Sequence, residues 1–325
     1  MIFQCLLATG LAVLSLLLPC FAQSEGTAPA KPIHFVVGFT PGGPSDVLAR
    51  ALGRAMGETL KQSVIVENRP GAGGNLAAEL VARSPADGST WLLGNNSILA
   101  TNSVLYQKLA FDPIRDFDAV GLVGIQPSIL VVSSKVPAQN VSQLIAYTKA
   151  HPGKLNFASS GTGAAAHLTG QWFKTEAGLD IEHVPYKGAQ PALTDLLTGQ
   201  VQMMFATSAS VMPFVQQNRL RALAVTSAQR MPDLPELPTM VESGLPGFEV
   251  VSWHGIVVPA GTPRVIVLRL NQALNLALNS PEIRAQFKNL GVQVSAGTPE
   301  SFATFIKSEA PKWAKMVKDS GARAD

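Results

Sequence analysis

The 325-residue chain has very little cysteine and little charge. Its two cysteines, Cys5 and Cys20, both lie among the first twenty residues, so the sequence predicts neither a disulfide nor thiol chemistry in the remainder. Only 14% of the residues are charged, the net charge is +3, and no run of Lys or Arg forms a basic patch. This balance does not indicate a nucleic-acid-binding protein.

Motifs of common enzymes and metal sites are also missing. The sequence contains no GxSxG, HExxH or CxxC, and its Gly153-Lys154 pair lacks the Ser or Thr that completes a phosphate-binding loop. Five histidines are scattered without the spacing of metal ligands. We therefore expect no metal, no cofactor and no catalytic residues.

The first 22 residues resemble an export signal. Leu6 to Leu18 is an apolar segment that is too short to span a membrane comfortably, and Ala22 fits a small-residue cleavage site. We expect residues 1–22 to be removed and the mature protein to be periplasmic. Lipoprotein processing at Cys20 is the alternative, and Pro19 is an awkward neighbour for that cleavage.

The full chain is 46% hydrophobic, and the part that follows residue 22 is long enough for two domains. Strand-like and helix-like segments alternate from Lys31 onward, which predicts parallel sheets covered by helices. The first unit has predicted strands at 33–37, 64–67 and 91–94 and predicted helices at 45–60 and 74–83. A second unit of similar layout has strand-like segments at 155–158 and 201–205 and a helix at 164–176. Between them, the segment 181–189 leads into a further helix through Leu197.

Two long apolar segments, 120–132 and 249–258, are predicted to be strands that cross between the units. Two crossings would form a hinge, and helices at 263–278, 281–290 and 300–318 would then pack back on the first unit. The expected fold is α/β, with lobe 1 formed by residues 23–125 plus 252–325 and lobe 2 by residues 126–251.

The loop from Gly38 to Asp46 is typical of an anion site. A strand runs into adjacent glycines and then a helix, whose first N–H groups are unpaired and carry partial positive charge. The Ser159–Gly163 loop repeats this arrangement before the helix at 164–176. Ligands of open α/β sheets bind beyond the carboxyl ends of the strands, so we expect both loops to face one cleft.

Several segments together resemble the Bug family of periplasmic solute-binding proteins, the receptors of tripartite tricarboxylate transporters. They are the Gly38–Asp46 loop, Glu67–Gly74, Pro185–Gly188 with Asp195–Leu197, and Trp253–Gly255. The resemblance covers essentially the whole mature chain. It implies a two-lobed flytrap fold that binds small carboxylates through loops matching Phe39–Asp46, Ser160–His167 and the segment around Tyr186.

Fifteen residues are therefore expected to contact the ligand: Phe39, Thr40, Pro41, Gly42, Gly43, Asp46, Ser97, Ser160, Gly161, Thr162, His167, Tyr186, Lys187, Gly188 and Thr207. Two have equally simple structural roles, since Asp46 would complement a helix dipole and Lys187 would be a solvated loop charge.

We expect a monomeric, non-enzymatic receptor that delivers a small organic acid to the membrane components of a transporter or to a sensor protein. The alternatives are a sensing subunit without its own transporter, and a secreted α/β hydrolase or lyase with a cleft of the same shape. Gly161-x-Gly163-x-x-Ala166 also fits a loose dinucleotide fingerprint, although Glu182 stands at the start of the next strand, where a ribose-binding acid does not belong.

Overall fold

A computed structural model describes residues 31–324 and shows the expected α/β architecture. The predicted export signal, with Cys5 and Cys20, lies outside the described residues. Within residues 31–324, none of the helices combines the length and the apolar character that crossing a membrane requires.

The first sheet begins with three parallel strands. Strand β1 pairs with β2 on one side and with β3 on the other. The elements are β1 (Ile33–Val37), α1 (Pro44–Leu60), β2 (Val64–Asn68), a 3-10 turn (Ala72–Gly74), α2 (Asn75–Ala82), β3 (Thr90–Asn95), a π-helix (Ser97–Thr101) and α3 (Asn102–Leu105).

The central part of the chain forms the second sheet. Strand β5 pairs in parallel with both β6 and β7. The elements are β4 (Phe117–Ser133), α4 (Val141–Ala150), β5 (Leu155–Ser159), α5 (Ala165–Ala177), β6 (Ile181–Pro185), α6 (Ala189–Thr198), β7 (Met203–Thr207), α7 (Ser208–Gln216) and β8 (Leu220–Val225).

The last part of the chain returns to the first sheet. Strand β9 lies antiparallel between β3 and β4, and β10 pairs with the other side of β4. The elements are β9 (Val251–Pro259), α8 (Arg264–Asn279), α9 (Pro281–Asn289), β10 (Gln293–Val294) and α10 (Pro299–Ser320).

Strand β4 belongs to both sheets, as a crossing strand should. It pairs with β9 from Phe117 to Pro127, and from Ser128 onward its partners are β7 and β8. The change of partner falls at a proline, which has no N–H to offer a neighbouring strand. The return connection is held by a backbone hydrogen bond from Val250 to Thr226. The domain boundaries at 125/126 and 251/252 stay a prediction.

The C-terminal helices depart in one respect from the expectation that all would pack on the first unit. Helices α8 and α9 contact α1, but α10 also contacts α5 of the second unit. One apolar cluster therefore runs through both sheets and α10, with Leu92, Phe157 and Trp313 among its buried members. Helix α10 has 22 residues, which makes it long enough to contact both units, and its apolar face packs against them.

Candidate functional site

The helices that follow parallel strands all begin without a side-chain cap. Their N-cap residues are Gly43 for α1, Gly74 for α2, Ala164 for α5, Gly188 for α6 and Thr207 for α7. In contrast, α4, α9 and α10 begin at Asn140, Ser280 and Thr298, whose side chains accept a helix N–H. Helix α8, which begins after Pro263, is also uncapped. The uncapped N–H groups at the carboxyl edges of both sheets are therefore available to an anion.

The glycine loops of the two sheets have the same local geometry. Gly42 (φ +78°) donates its N–H to Oδ2 of Asp46 at 2.9 Å, and Gly163 (φ +80°) donates its N–H to Nδ1 of His167 at 3.0 Å. In each case the acceptor lies four residues later, in the first turn of the following helix. A positive φ favours glycine, so the side chain and the glycine together set the loop's shape.

Asp46 is only 3% exposed. Arg50 forms an ion pair with the Asp46 carboxylate, with Nε 2.9 Å from Oδ2 and Nη2 2.9 Å from Oδ1. Arg50 also donates a hydrogen bond to Oδ1 of Asn68 at 3.1 Å. Burial alone would raise the pKa of Asp46, but hydrogen bonds from Arg50, Gly42 and Asn68 together hold it below its usual value. The structure thus places Asp46 beneath the loop, which favours a loop-shaping role over the expected ligand contact.

His167 stacks on a second histidine behind the other loop. The rings of His167 and His183 lie 4.0 Å apart, and Phe157 stacks on His183 at 4.9 Å. Because Nδ1 of His167 accepts a hydrogen bond, this ring is neutral. Burial lowers the pKa of His167, and burial with a smaller effect of His167 lowers the pKa of His183 to about 4.

Four further hydrogen bonds hold the loops at the edge of the second sheet. Ser159 Oγ lies 2.7 Å from Nε2 of His183 and accepts from the Gly161 N–H at 3.1 Å. Tyr186 N–H donates to the Ser159 carbonyl, and Gly188 N–H donates to the Ser160 carbonyl. The predicted segments 160–163 and 186–188 are therefore neighbours.

The Tyr186 hydroxyl bonds to the helix that follows its loop. It donates to Oδ2 of Asp195 at 2.6 Å. Burial, this hydrogen bond and the charge of Asp195 raise the pKa of Tyr186 to about 12. Tyr186 therefore orients the β6–α6 loop as a neutral phenol.

A buried pair that sequence reasoning did not identify joins the first loop to strand β9 of the first sheet. Ser45 Oγ lies 3.1 Å from Nε2 of His254. Burial lowers the pKa of His254 to about 4, and Nδ1 of this ring has no partner among the described residues. The place of His254 in the Trp253–Gly255 segment, which carries part of the family resemblance, was the available signal.

The other predicted residues occupy the edges of the two sheets. Phe39 is half-buried, and its carbonyl accepts from Asn68 at 3.0 Å. Ser97 begins the π-helix, and Thr207 ends β7 with its hydroxyl 3.0 Å from that of Ser210. Lys187 is exposed. The remaining exposed or half-exposed loop positions are Thr40, Pro41, Gly43 and Thr162.

One contact joins the second glycine loop to the first part of the chain. A Cβ built on Gly163 would lie 3.3 Å from Cδ2 of Leu105, at the end of α3. The loop after β5 thus touches the body that contains the β1–α1 loop. That all fifteen residues contact one ligand stays a prediction.

Residues 48–322 match a family model, TctC, which describes tripartite tricarboxylate transporter family receptors.

Many solved structures are similar to this chain, among them three that are each matched over nearly their full length. A structure from R. palustris with adipate is 36% identical, with a TM-score of 0.76 over 90% of this chain and 98% of that one. The periplasmic binding protein BugD is 37% identical, with a TM-score of 0.73 over 90% and 99% of the two chains. MatC from Rhodopseudomonas palustris with bound malate is 33% identical, with a TM-score of 0.72 over 88% and 98%. The two-lobed fold predicted from the sequence is confirmed.

Proposed function

This chain belongs to the TctC family of tripartite tricarboxylate transporter receptors, and on that basis we propose that it captures a small carboxylate between its lobes. The predicted family and the solute-binding class of the protein are thereby confirmed. The ligand class is supported by the adipate and malate in two similar structures. The binding residues are those predicted from the sequence, with Asp46 and the Tyr186 hydroxyl acting through the loops they hold.

One observation carries this proposal: uncapped helix N-termini stand at the carboxyl edges of both sheets. A micromolar complex requires about 8 kcal/mol. One helix terminus contributes roughly 0.3–2 kcal/mol toward an anion, and one charge-assisted hydrogen bond about 1.5–3 kcal/mol. A single loop therefore falls short, whereas the α1 and α5 loops together supply enough donors for two carboxylates or for one carboxylate and a polar group.

The hydrolase alternative has one feature in its favour, the pairing of Ser45 with His254. In a serine hydrolase the histidine is oriented by an acid on its second ring nitrogen. Nδ1 of His254 has no such partner within residues 31–324. The pair is also almost fully buried, so we assign it a structural role.

The proposed location is the periplasm, and the proposed partners are the membrane components of a tripartite transporter. Family membership and the export signal predicted at residues 1–22 support both. A transporter and a sensor protein would both bind the same closed, ligand-bound form. Isolating the partner that binds this form therefore distinguishes transport from sensing.

Native mass spectrometry of protein purified without denaturation, followed by titration calorimetry, tests the proposal. We expect a retained or added carboxylate of one-to-one stoichiometry, selected from a panel of adipate, malate, citrate and an aromatic acid. The same panel is incubated with the protein and assayed for products. Turnover of a bound acid would establish the enzyme alternative, and failure to bind any carboxylate would refute the receptor proposal.

A further inference from the structure

A cavity lies beside helix α7. Its volume is about 630 Å³, within the range of small-molecule sites. One wall is formed by α7 with the segment Met231–Leu234, and the other by α9, Gly291 and β10. We call it the α7–α9 groove. None of the fifteen predicted ligand residues lines it.

The floor of the groove is apolar. It includes Met212, Met231, Leu234, Val292 and Val294. Met231 and Val292 are buried, while the others remain partly accessible. Methionine side chains adapt to irregular hydrocarbon shapes, so two of them in one wall suit a flexible apolar body.

Cations dominate the rim. Lys288 Nζ bonds to Oδ1 of Asp233 at 2.7 Å and so links the two walls. Arg284 donates to Oδ1 of Asn279 at 2.7 Å, and within residues 31–324 it forms no ion pair with a carboxylate. With two cations and one acid in the lining, the rim carries a net charge of +1 and guanidinium donors that can pair with an anion.

We propose that the α7–α9 groove is a second ligand site, separate from the cleft, that binds a medium-chain monocarboxylate. The carboxylate pairs with Arg284 and Lys288 at the rim, and the hydrocarbon chain lies along the two methionines. A dicarboxylate would fit poorly, because its second charge would be desolvated against the apolar floor without a partner. This inference does not depend on the proposed function of the cleft.

Methyl NMR of protein labelled at the methionine methyl groups tests this site, with octanoate as the probe. We expect saturable shifts of the Met212 and Met231 resonances, assigned by Met→Leu variants. Octanedioate, which has the same chain length with a second carboxylate, should bind at least tenfold more weakly. Equal binding of the two acids, or no saturable shift with octanoate, would overturn the proposal.

Substitutions in the groove test where the carboxylate of octanoate binds. Arg284→Gln combined with Lys288→Gln should weaken octanoate at least tenfold, whereas Arg54→Gln, which removes an exposed arginine of α1, should not. Met212→Glu places a carboxylate in the apolar wall and should abolish binding. Thr162→Ala with Gly163→Val, which disables the cleft, should leave octanoate affinity unchanged. Unchanged affinity in the double cation variant, or loss in the cleft variant, would contradict a separate groove site.

Discussion

Ser45 and His254 are joined by a buried hydrogen bond of 3.1 Å between Oγ and Nε2. Ser45 lies in the first turn of α1, next to Asp46, and His254 lies in β9, the strand that returns from the second sheet to the first. The bond therefore fixes the predicted ligand loop to the strand next to the lobe crossing. Since Nδ1 of His254 is already without a partner, the bond through Nε2 is the ring's only polar anchor among the described residues.

Ser45→Ala should destabilise the fold by about 1–3 kcal/mol, because it leaves a second buried nitrogen of His254 unpaired. The free energy of unfolding from urea titration gives the measurement. Ser308→Ala is the matched control: Ser308 is an exposed helical serine, and its loss should change stability by less than about 0.5 kcal/mol. Equal effects of the two substitutions would show that the Ser45–His254 bond contributes nothing.

Stability should fall as the pH decreases from 6.5 to about 4. His183 and His254 have folded-state pKa values of about 4, against 6.5 for an ordinary histidine. In this window the unfolded chain binds more protons than the folded one, so protonation favours unfolding. The contribution of the fully buried His254 is roughly 3 kcal/mol at most.

Urea titrations at several pH values measure how steeply the free energy of unfolding falls with decreasing pH. The substitution His254→Gln should make this dependence less steep. The carboxylates with lowered pKa values, Asp46 and Glu67 among them, lose their contribution only as the pH falls through lower values. A variant with the same slope as the wild type between pH 6.5 and 4 would exclude His254 as a source.

Ligand affinity should decrease in acid because of His167. Its pKa lies below 6.5, and protonation places a hydrogen on Nδ1, where the Gly163 N–H now donates. Two donors then face each other and the loop loses its shape.

His167→Asn provides the control, because its amide oxygen can accept from Gly163 but does not titrate. Calorimetry across pH 7 to 5 should show a steeper loss of affinity for the wild type than for this variant. Parallel curves would mean that acid acts through the ligand or another group.

The sequence predicted most of the fold from periodicity, since β1 and α1 were placed within one residue of their observed bounds. It missed the π-helix after β3, where Asn95, Asn96 and Ser97 indicate a loop. Packing overrides that local preference, because Ile98 and Leu99 are fully buried. Strand β10 has only two residues, and pairing with β4 alone defines it.

The site was predictable only in part, because contacts between residues that are distant in the chain shape its loops. Glycines before a helix identify an anion loop from local pattern, but the contacts that shape the loop come from distant residues. Asn68 and His254 lie far from Phe39 and Ser45 in the chain and reach them through strand pairing. No local pattern encodes such a contact.

Asp46→Asn should weaken all carboxylate ligands alike, by roughly tenfold, or about 1.4 kcal/mol. The amide keeps one oxygen for Gly42 but loses the charge that holds Arg50. Titration of adipate and malate against both proteins measures the effect. If Asp46 instead met a hydroxyl donor of the ligand, only malate would be affected, and the loop-shaping role would be wrong.

Gly163→Val should abolish ligand binding while the β1–α1 loop remains intact. Valine strongly disfavours the φ of +80°, and its side chain would press against Leu105, whose Cδ2 lies 3.3 Å from the new Cβ. The Gly163 N–H would then leave His167, and the donors of α5 would no longer face the ligand.

Gly153→Val is the matched control, since Gly153 also has a positive φ, of +69°, but lies in an exposed turn away from the loops. Both variants should lose a similar 1–3 kcal/mol of stability, roughly, from backbone strain. Calorimetry with the cognate acid should detect binding only in the control. If Gly163→Val bound with wild-type affinity, one lobe would suffice, and the requirement for donors from both sheets would be refuted.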